Sequence, residues 1–103
     1  MATPSPDYSN AAQQRILKVL DLLFGHEITG LAPGEIAKSI AATASSITRD
    51  LANLTEAGMA EEVQGTGRYR ITPRLGRRCM ATLQTFDRAE QQLGDLKARF
   101  TTK

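Results

Sequence analysis

Apolar positions along the chain change period twice, and each change marks a new kind of element. From Asn10 to Phe24 they follow helical spacing: Ile16, Leu17, Leu20, Leu23 and Phe24 form a stripe, widened by Val19 and Leu22. Asn10, with Gln13 three residues on, reads as the N-cap, and Gly25 as the stop. A helix this apolar predicts contacts beyond its own core, with a partner subunit as one candidate. Pro33 opens a second, short helix, with Glu35 near its positive end and Ile36, Ala37 and Ile40 on its inner face. A brief "AAT" connection leads to a third helix, about 44–57, whose inner face is Ile47, Leu51 and Leu54. Gly58 is a natural C′ residue. The period then shortens to alternation: Met59 and Val63, then Tyr69 and Ile71, flank the turn "QGTG" and predict a β-hairpin. Arg68 and Arg70 alternate with Tyr69 and Ile71, so both are expected to face away from the core. Thr72–Pro73 announces a last helix, about 73–101.

That last helix carries a seven-residue repeat. Cys79, Phe86, Leu93 and Phe100 are spaced by seven, and Leu75, Thr82, Ala89 and Leu96 form a second register offset by three. This is the a/d pattern of an interhelical seam, imperfect where Thr82 is polar and Ala89 small. It predicts a homodimer whose interface includes Leu75, Cys79, Phe86, Ala89, Leu93, Leu96 and Phe100. The predicted organisation is a Pro/Ser-rich disordered tail (1–9), a helical domain closed by the hairpin (10–72) and a dimerisation helix (73–103). The fold class is mainly α with a small β-hairpin.

The outer face of the third helix is unusual. In "TASSITRDLANL", residues 43–54, it presents Ser45, Arg49 and Ala52, flanked by Ser46, Thr48 and Asn53. A solvated helix face is more often built from Glu and Lys. Short hydroxyls, an amide and one arginine suit close approach to a surface of mixed donors and acceptors. A duplex groove is such a surface, and an arginine forks onto guanine or phosphate there.

Charge adds to this. The net charge is only +2, yet between Val63 and Arg78 there are five arginines (Arg68, Arg70, Arg74, Arg77, Arg78) and no acid. Opposing it, Asp50 and Glu56 on the third helix and Glu61 and Glu62 in the hairpin would repel phosphate. With one Cys and one His the sequence offers no zinc-site spacing and no intramolecular disulfide. His26, in a loop, reads as structural, and Cys79 as a buried small apolar residue of the seam, with an inter-subunit disulfide as the lesser alternative. No Ser–His–Asp set and no phosphate loop is present, so no enzyme and no cofactor is expected. No apolar run reaches the roughly 20 residues of a membrane span. "MATPSPDYS" lacks the basic and apolar regions of a secretory signal. A cytoplasmic protein is expected.

Helix, short helix, tight turn, helix and hairpin is the order of a winged helix-turn-helix. The pieces "ILKVLDLL", "EIAKSI", "SSITRDLANLTEAGM" and "GRYRITPRL", spanning about 14–78, resemble the DNA-binding domain of the IclR family of bacterial regulators. The resemblance implies a double-stranded DNA-binding transcription regulator, bacterial or phage, with helix 44–57 in the major groove and the wing, about 59–72, on the backbone or minor groove. Ser45, Ser46, Thr48 and Arg49 are then the base readers, and Arg49 matches an arginine common in that helix. Lys38, Thr43, Asn53, Arg68, Arg70 and Arg74 are the expected backbone contacts. Where the family often has Pro-Lys-Ser-Thr, this chain has "TASS". The family's ligand-sensing domain has no counterpart in these residues, so no small-molecule effector is expected. The competing reading is a winged helix that binds a protein through its hairpin or long helix.

Overall fold

Asn10 opens the first helix as an N-cap: its backbone is extended and its side chain accepts the Gln13 N–H at 3.0 Å. A computed structural model describes residues 6–102 of the chain. The expected tail thus falls outside the described residues for positions 1–5, and residues 6–9 are exposed, without helix or strand. The elements are α1 (Ala11–Leu23), α2 (Pro33–Ser39), α3 (Ala44–Glu56), β1 (Ala60–Val63), β2 (Arg68–Ile71) and α4 (Pro73–Thr101). The two strands pair antiparallel, Ala60 opposite Ile71 and Val63 opposite Arg68. The architecture is a winged helix followed by a long helix, and the chain divides into two units at Thr72/Pro73.

In the first unit, α1 and α2 both pack on α3, and the hairpin closes the end of the core. Val19 and Leu23 from α1, Ile36 from α2, and Ile47 and Leu51 from α3 are fully or almost fully buried, with Ala60 and Ile71 continuing the core into the hairpin. A third, minimal strand contact joins Leu31 to Tyr69, each N–H donating to the other's carbonyl at 2.8 Å. That bridge ties the α1–α2 loop to the wing. α3 ends in a Schellman turn. Met59 N–H reaches Leu54 O at 2.8 Å and Gly58 N–H reaches Thr55 O at 3.0 Å, with Gly58 at φ +76°.

The stripe expected on α1 is rotated. Leu17 is 58% and Phe24 40% exposed, Ile16, Leu20 and Leu22 are half-buried, and the buried positions are Val19 and Leu23. The reason is Arg15. It lies four residues before Val19 on the same face and is drawn inward by a carboxylate on α3. A polar pair therefore sets the rotation of α1, which no apolar periodicity reports.

The second unit is α4 alone, 29 residues with none buried. Its exposed large apolar side chains are Met80, Leu83, Phe86, Leu93, Leu96 and Phe100.

Candidate nucleic-acid interface

Thr43 builds the start of the site. It caps α3: its Oγ1 accepts the Ser46 N–H at 3.2 Å and donates to Ser46 Oγ at 2.9 Å, with Ser45 Oγ 3.4 Å away. The first turn of α3 thus begins with three clustered hydroxyls and no acid. One turn on, Thr48 Oγ1 donates to Ala44 O at 3.0 Å, and two turns on Asn53 Nδ2 donates to Arg49 O at 2.8 Å. Each bond uses one donor and fixes the rotamer. The Thr48 oxygen and the Asn53 amide oxygen are left to accept. Arg49 is exposed and forms no ion pair among the described residues, and its one intramolecular hydrogen bond, Nε to Ser45 O, is long at 3.5 Å. Ser45, Thr48, Arg49 and Asn53 are all exposed and Ser46 is half-buried, so α3 brings the expected readers together on one surface. Lys38 stands exposed in the last turn of α2.

The acids tell a different story from their sequence positions. Asp50 is only 4% exposed; it faces the interior, where Arg15 Nε and Nη2 meet its two oxygens at 2.6 and 2.9 Å. This fork neutralises the one acid in the middle of α3. Glu61 pairs with Arg70 at 2.9 Å, and Glu62 accepts the Gly67 N–H at 3.0 Å inside the hairpin turn. Of the four acids that would repel phosphate, three therefore hold protein partners, and Glu56 is exposed at the far end of α3.

The wing arginines carry partners that the alternation does not report. Alternation sends Arg68 and Arg70 outward, and their guanidiniums do leave the core. They then turn onto protein oxygens. Arg68 donates to Thr29 O and Gly30 O, both at 3.0 Å, and pairs with Glu35 at 2.8 Å. Arg70 pairs with Glu61 and reaches Glu27 O at 3.4 Å. Unpaired carbonyls of the α1–α2 loop lie beside β2, and a guanidinium satisfies two of them with one planar group. Each arginine side chain keeps about a third of its surface exposed, 36% and 33%. Glu35 sits below the usual carboxylate range because the Ala32 N–H donates to it and, secondarily, because Arg68 lies beside it. Glu27 is likewise lowered, chiefly by the Gly25 N–H.

On α4, Arg74 is exposed, Leu75 is half-buried, and Cys79, Phe86, Ala89, Leu93, Leu96 and Phe100 are exposed. Met80 and Leu83, each 59% exposed, lie outside the strict heptad register. They broaden the apolar stripe on one side of the a/d seam. Their signal was present as Leu83 at i+4 from Cys79, outside the strict seven-residue register. No group of three or more His, Cys, Asp or Glu able to hold a metal is found among the described residues, and no helix among them is long and apolar enough to cross a membrane.

No family model matches the sequence, and no curated protein matches it. Solved structures do. The chain is similar to the Zα domain of cyprinid herpesvirus 3 ORF112, described in its binding mode to Z-DNA, at TM-score 0.52 and 24% identity, covering 57% of this chain and 93% of that one. It is also similar to a mutant of MepR from S. aureus at TM-score 0.50 and 24% identity, covering 90% of this chain and 76% of that one. These likenesses establish the winged-helix fold.

Proposed function

We propose that this protein is a sequence-specific, double-stranded DNA-binding transcription regulator. The observation that carries the reading is the outer face of α3. Thr43, Ser45, Ser46, Thr48, Arg49 and Asn53 lie on one accessible surface, and its central acid, Asp50, is turned inward and neutralised by Arg15. A face of short donors and acceptors with one unpaired arginine matches the mixed pattern of a major-groove floor. That the similar Zα domain is described with Z-DNA supports nucleic acid as the class of partner.

In this reading Ser45, Ser46, Thr48 and Arg49 read bases. Lys38, Thr43, Asn53 and Arg74 meet the backbone. Arg68 and Arg70 brace the wing and offer phosphate only the third of their surface left exposed. The exposed seam of α4 pairs two copies into a homodimer, so that two recognition helices face a two-fold site. The kinship is of IclR type, resting on the wording of residues 14–78. The setting is the cytoplasm, on the nucleoid of a bacterium or serving a phage.

The test is fluorescence anisotropy with a random-sequence duplex and with DNA from upstream of the protein's own gene. Both are titrated at about 50 and 200 mM salt. The reading predicts tighter binding to the upstream DNA, loss of that preference in Arg49→Ala, and weaker binding to both at the higher salt. Absence of binding to either duplex at low salt overturns it and turns the search to a protein partner of the hairpin or α4.

A further inference from the structure

A cleft of about 450 Å³ lies between α1 and the α2–α3 turn. One wall is a single face of α1, where Ala11, Gln14, Arg15 and Lys18 follow one another at i, i+3, i+4 and i+7. The other is the turn from Ile40 to Thr43, with Ser46. We propose that this cleft is a second seat for the DNA backbone, in which Lys18 and Gln14 hold a phosphate next to the one met by Thr43. The inference rests on the proposed DNA-binding function and extends the contact surface to α1, a helix for which the sequence predicts a subunit contact and no DNA contact.

Three observations argue for it. The first is charge. Arg15 and Asp50 cancel each other at the cleft's edge, no acid lines the walls, and Lys18 is exposed with no ion pair among the described residues. One uncompensated cation therefore remains. The nearest acid in sequence on α1, Asp21, is exposed and does not line the cleft. The second is continuity. Thr43 and Ser46 belong both to the cleft wall and to the hydroxyl cluster that opens α3, so a strand lying along the start of α3 passes the mouth of the cleft. The third is shape. Small-molecule sites are enclosed and mostly apolar. This cleft is open and lined by an amide, two cations and two hydroxyls along with its alanines and Ile40. A phosphate on a long polymer needs no enclosure, because the rest of the duplex holds it there. The turn that forms the far wall is fixed: Ala42 N–H reaches Ala37 O at 2.9 Å, closing α2 around Ala41.

The experiment measures anisotropy with the random and upstream duplexes across a salt series, for wild type, Lys18→Ala, Lys18→Arg and Gln14→Ala. Lys18→Ala is expected to weaken both duplexes by the same factor, about 3- to 10-fold at low salt. It should also lower the slope of log K against log salt by about 0.9, the signature of one lost phosphate contact. Lys18→Arg keeps the cation and restores both, and Gln14→Ala weakens both less without changing the slope. Lys18 is exposed, so all variants should melt with wild type, which a circular dichroism scan checks. Wild-type affinity and slope in Lys18→Ala overturn the proposal while leaving the function standing. So does a loss confined to the upstream duplex, which makes Lys18 a base reader. If wild type binds neither duplex, the function falls and this seat with it.

Discussion

Replacing Gly30 by alanine tests how the wing is held. Gly30 has φ +71°, and a Cβ there would lie 2.7 Å from the Tyr69 carbonyl oxygen and 3.1 Å from its backbone C and N. Those atoms belong to the bridge that joins the α1–α2 loop to β2. Two costs add. A left-handed residue with a Cβ costs about 1–2 kcal/mol, partly offset by about 0.4–1 kcal/mol because alanine has less freedom to lose on folding. The contact with backbone cannot be relieved by a side-chain swing, so the bridge must open, at about 0.5–1.5 kcal/mol for each hydrogen bond lost. The total is about 2–3 kcal/mol. Gly25 is the control: its φ is +93° but nothing lies within 4 Å of its Cβ position. Gly25→Ala therefore carries only the conformational part, about 1 kcal/mol. For a domain of this size Gly30→Ala should melt about 10–20 °C below wild type and Gly25→Ala about 4–8 °C below. Far-UV circular dichroism melts with matched urea titrations read both. Arg68 donates to Thr29 O and Gly30 O, so the same change should also loosen the wing and speed proteolysis of the hairpin. Equal losses in the two variants would refute the reasoning, because the close approach to Tyr69 would then carry no weight.

Three further outcomes follow from the same geometry. Arg15→Met should lower the melting temperature by stranding the Asp50 carboxylate, while the double change Arg15→Met/Asp50→Leu should recover most of the loss. Strict additivity of the two single changes in a double-mutant cycle would show that the pair is uncoupled. Glu35 is held low by the Ala32 N–H and Arg68, so its stabilisation is present above the ordinary glutamate value and is lost as pH falls through its folded value. Below about pH 4.3 the melting temperature of wild type should drop more steeply than that of Glu35→Gln, and parallel curves would contradict this. Phe86→Glu puts a charge in the middle of the α4 seam and should convert a dimer to a monomer in light scattering; an unchanged mass would move the interface elsewhere.

Much of the architecture was written locally. Asn10, Pro33, Thr43, Gly58 and Thr72–Pro73 each signal a boundary through their own backbone preferences, and helix and strand ends fall at or beside them. The turn "QGTG" occupies the four residues between the strands. Periodicity fails where a polar group chooses the inner face. Nothing around Arg15 announces that it will turn toward the core, because its partner lies 35 residues away on α3. The same long-range pairing changes the meaning of Asp50, which reads as a surface acid in sequence and is an interior one in the fold. Alternation on β2 correctly sends Arg68 and Arg70 off the core side. It is silent on the carbonyls of Glu27, Thr29 and Gly30 waiting there, since those belong to a loop about 40 residues earlier. The surface of α3 was legible because helical spacing alone decides which side chains share a face. Its neighbour across the cleft, Lys18, was not, because sharing a surface with α3 requires the packing of two helices.

Contact between the outer face of α3 and duplex DNA is the proposal from which the other functional roles follow. The most direct test is NMR of the ¹⁵N-labelled protein titrated with a duplex selected from a random pool. The account predicts the largest amide shifts from Thr43 to Asn53, with smaller ones at Gln14, Lys18 and Lys38 and in the wing. Shifts confined to α4, or to the exposed Leu17 and Phe24 of α1 with α3 unmoved, would contradict it.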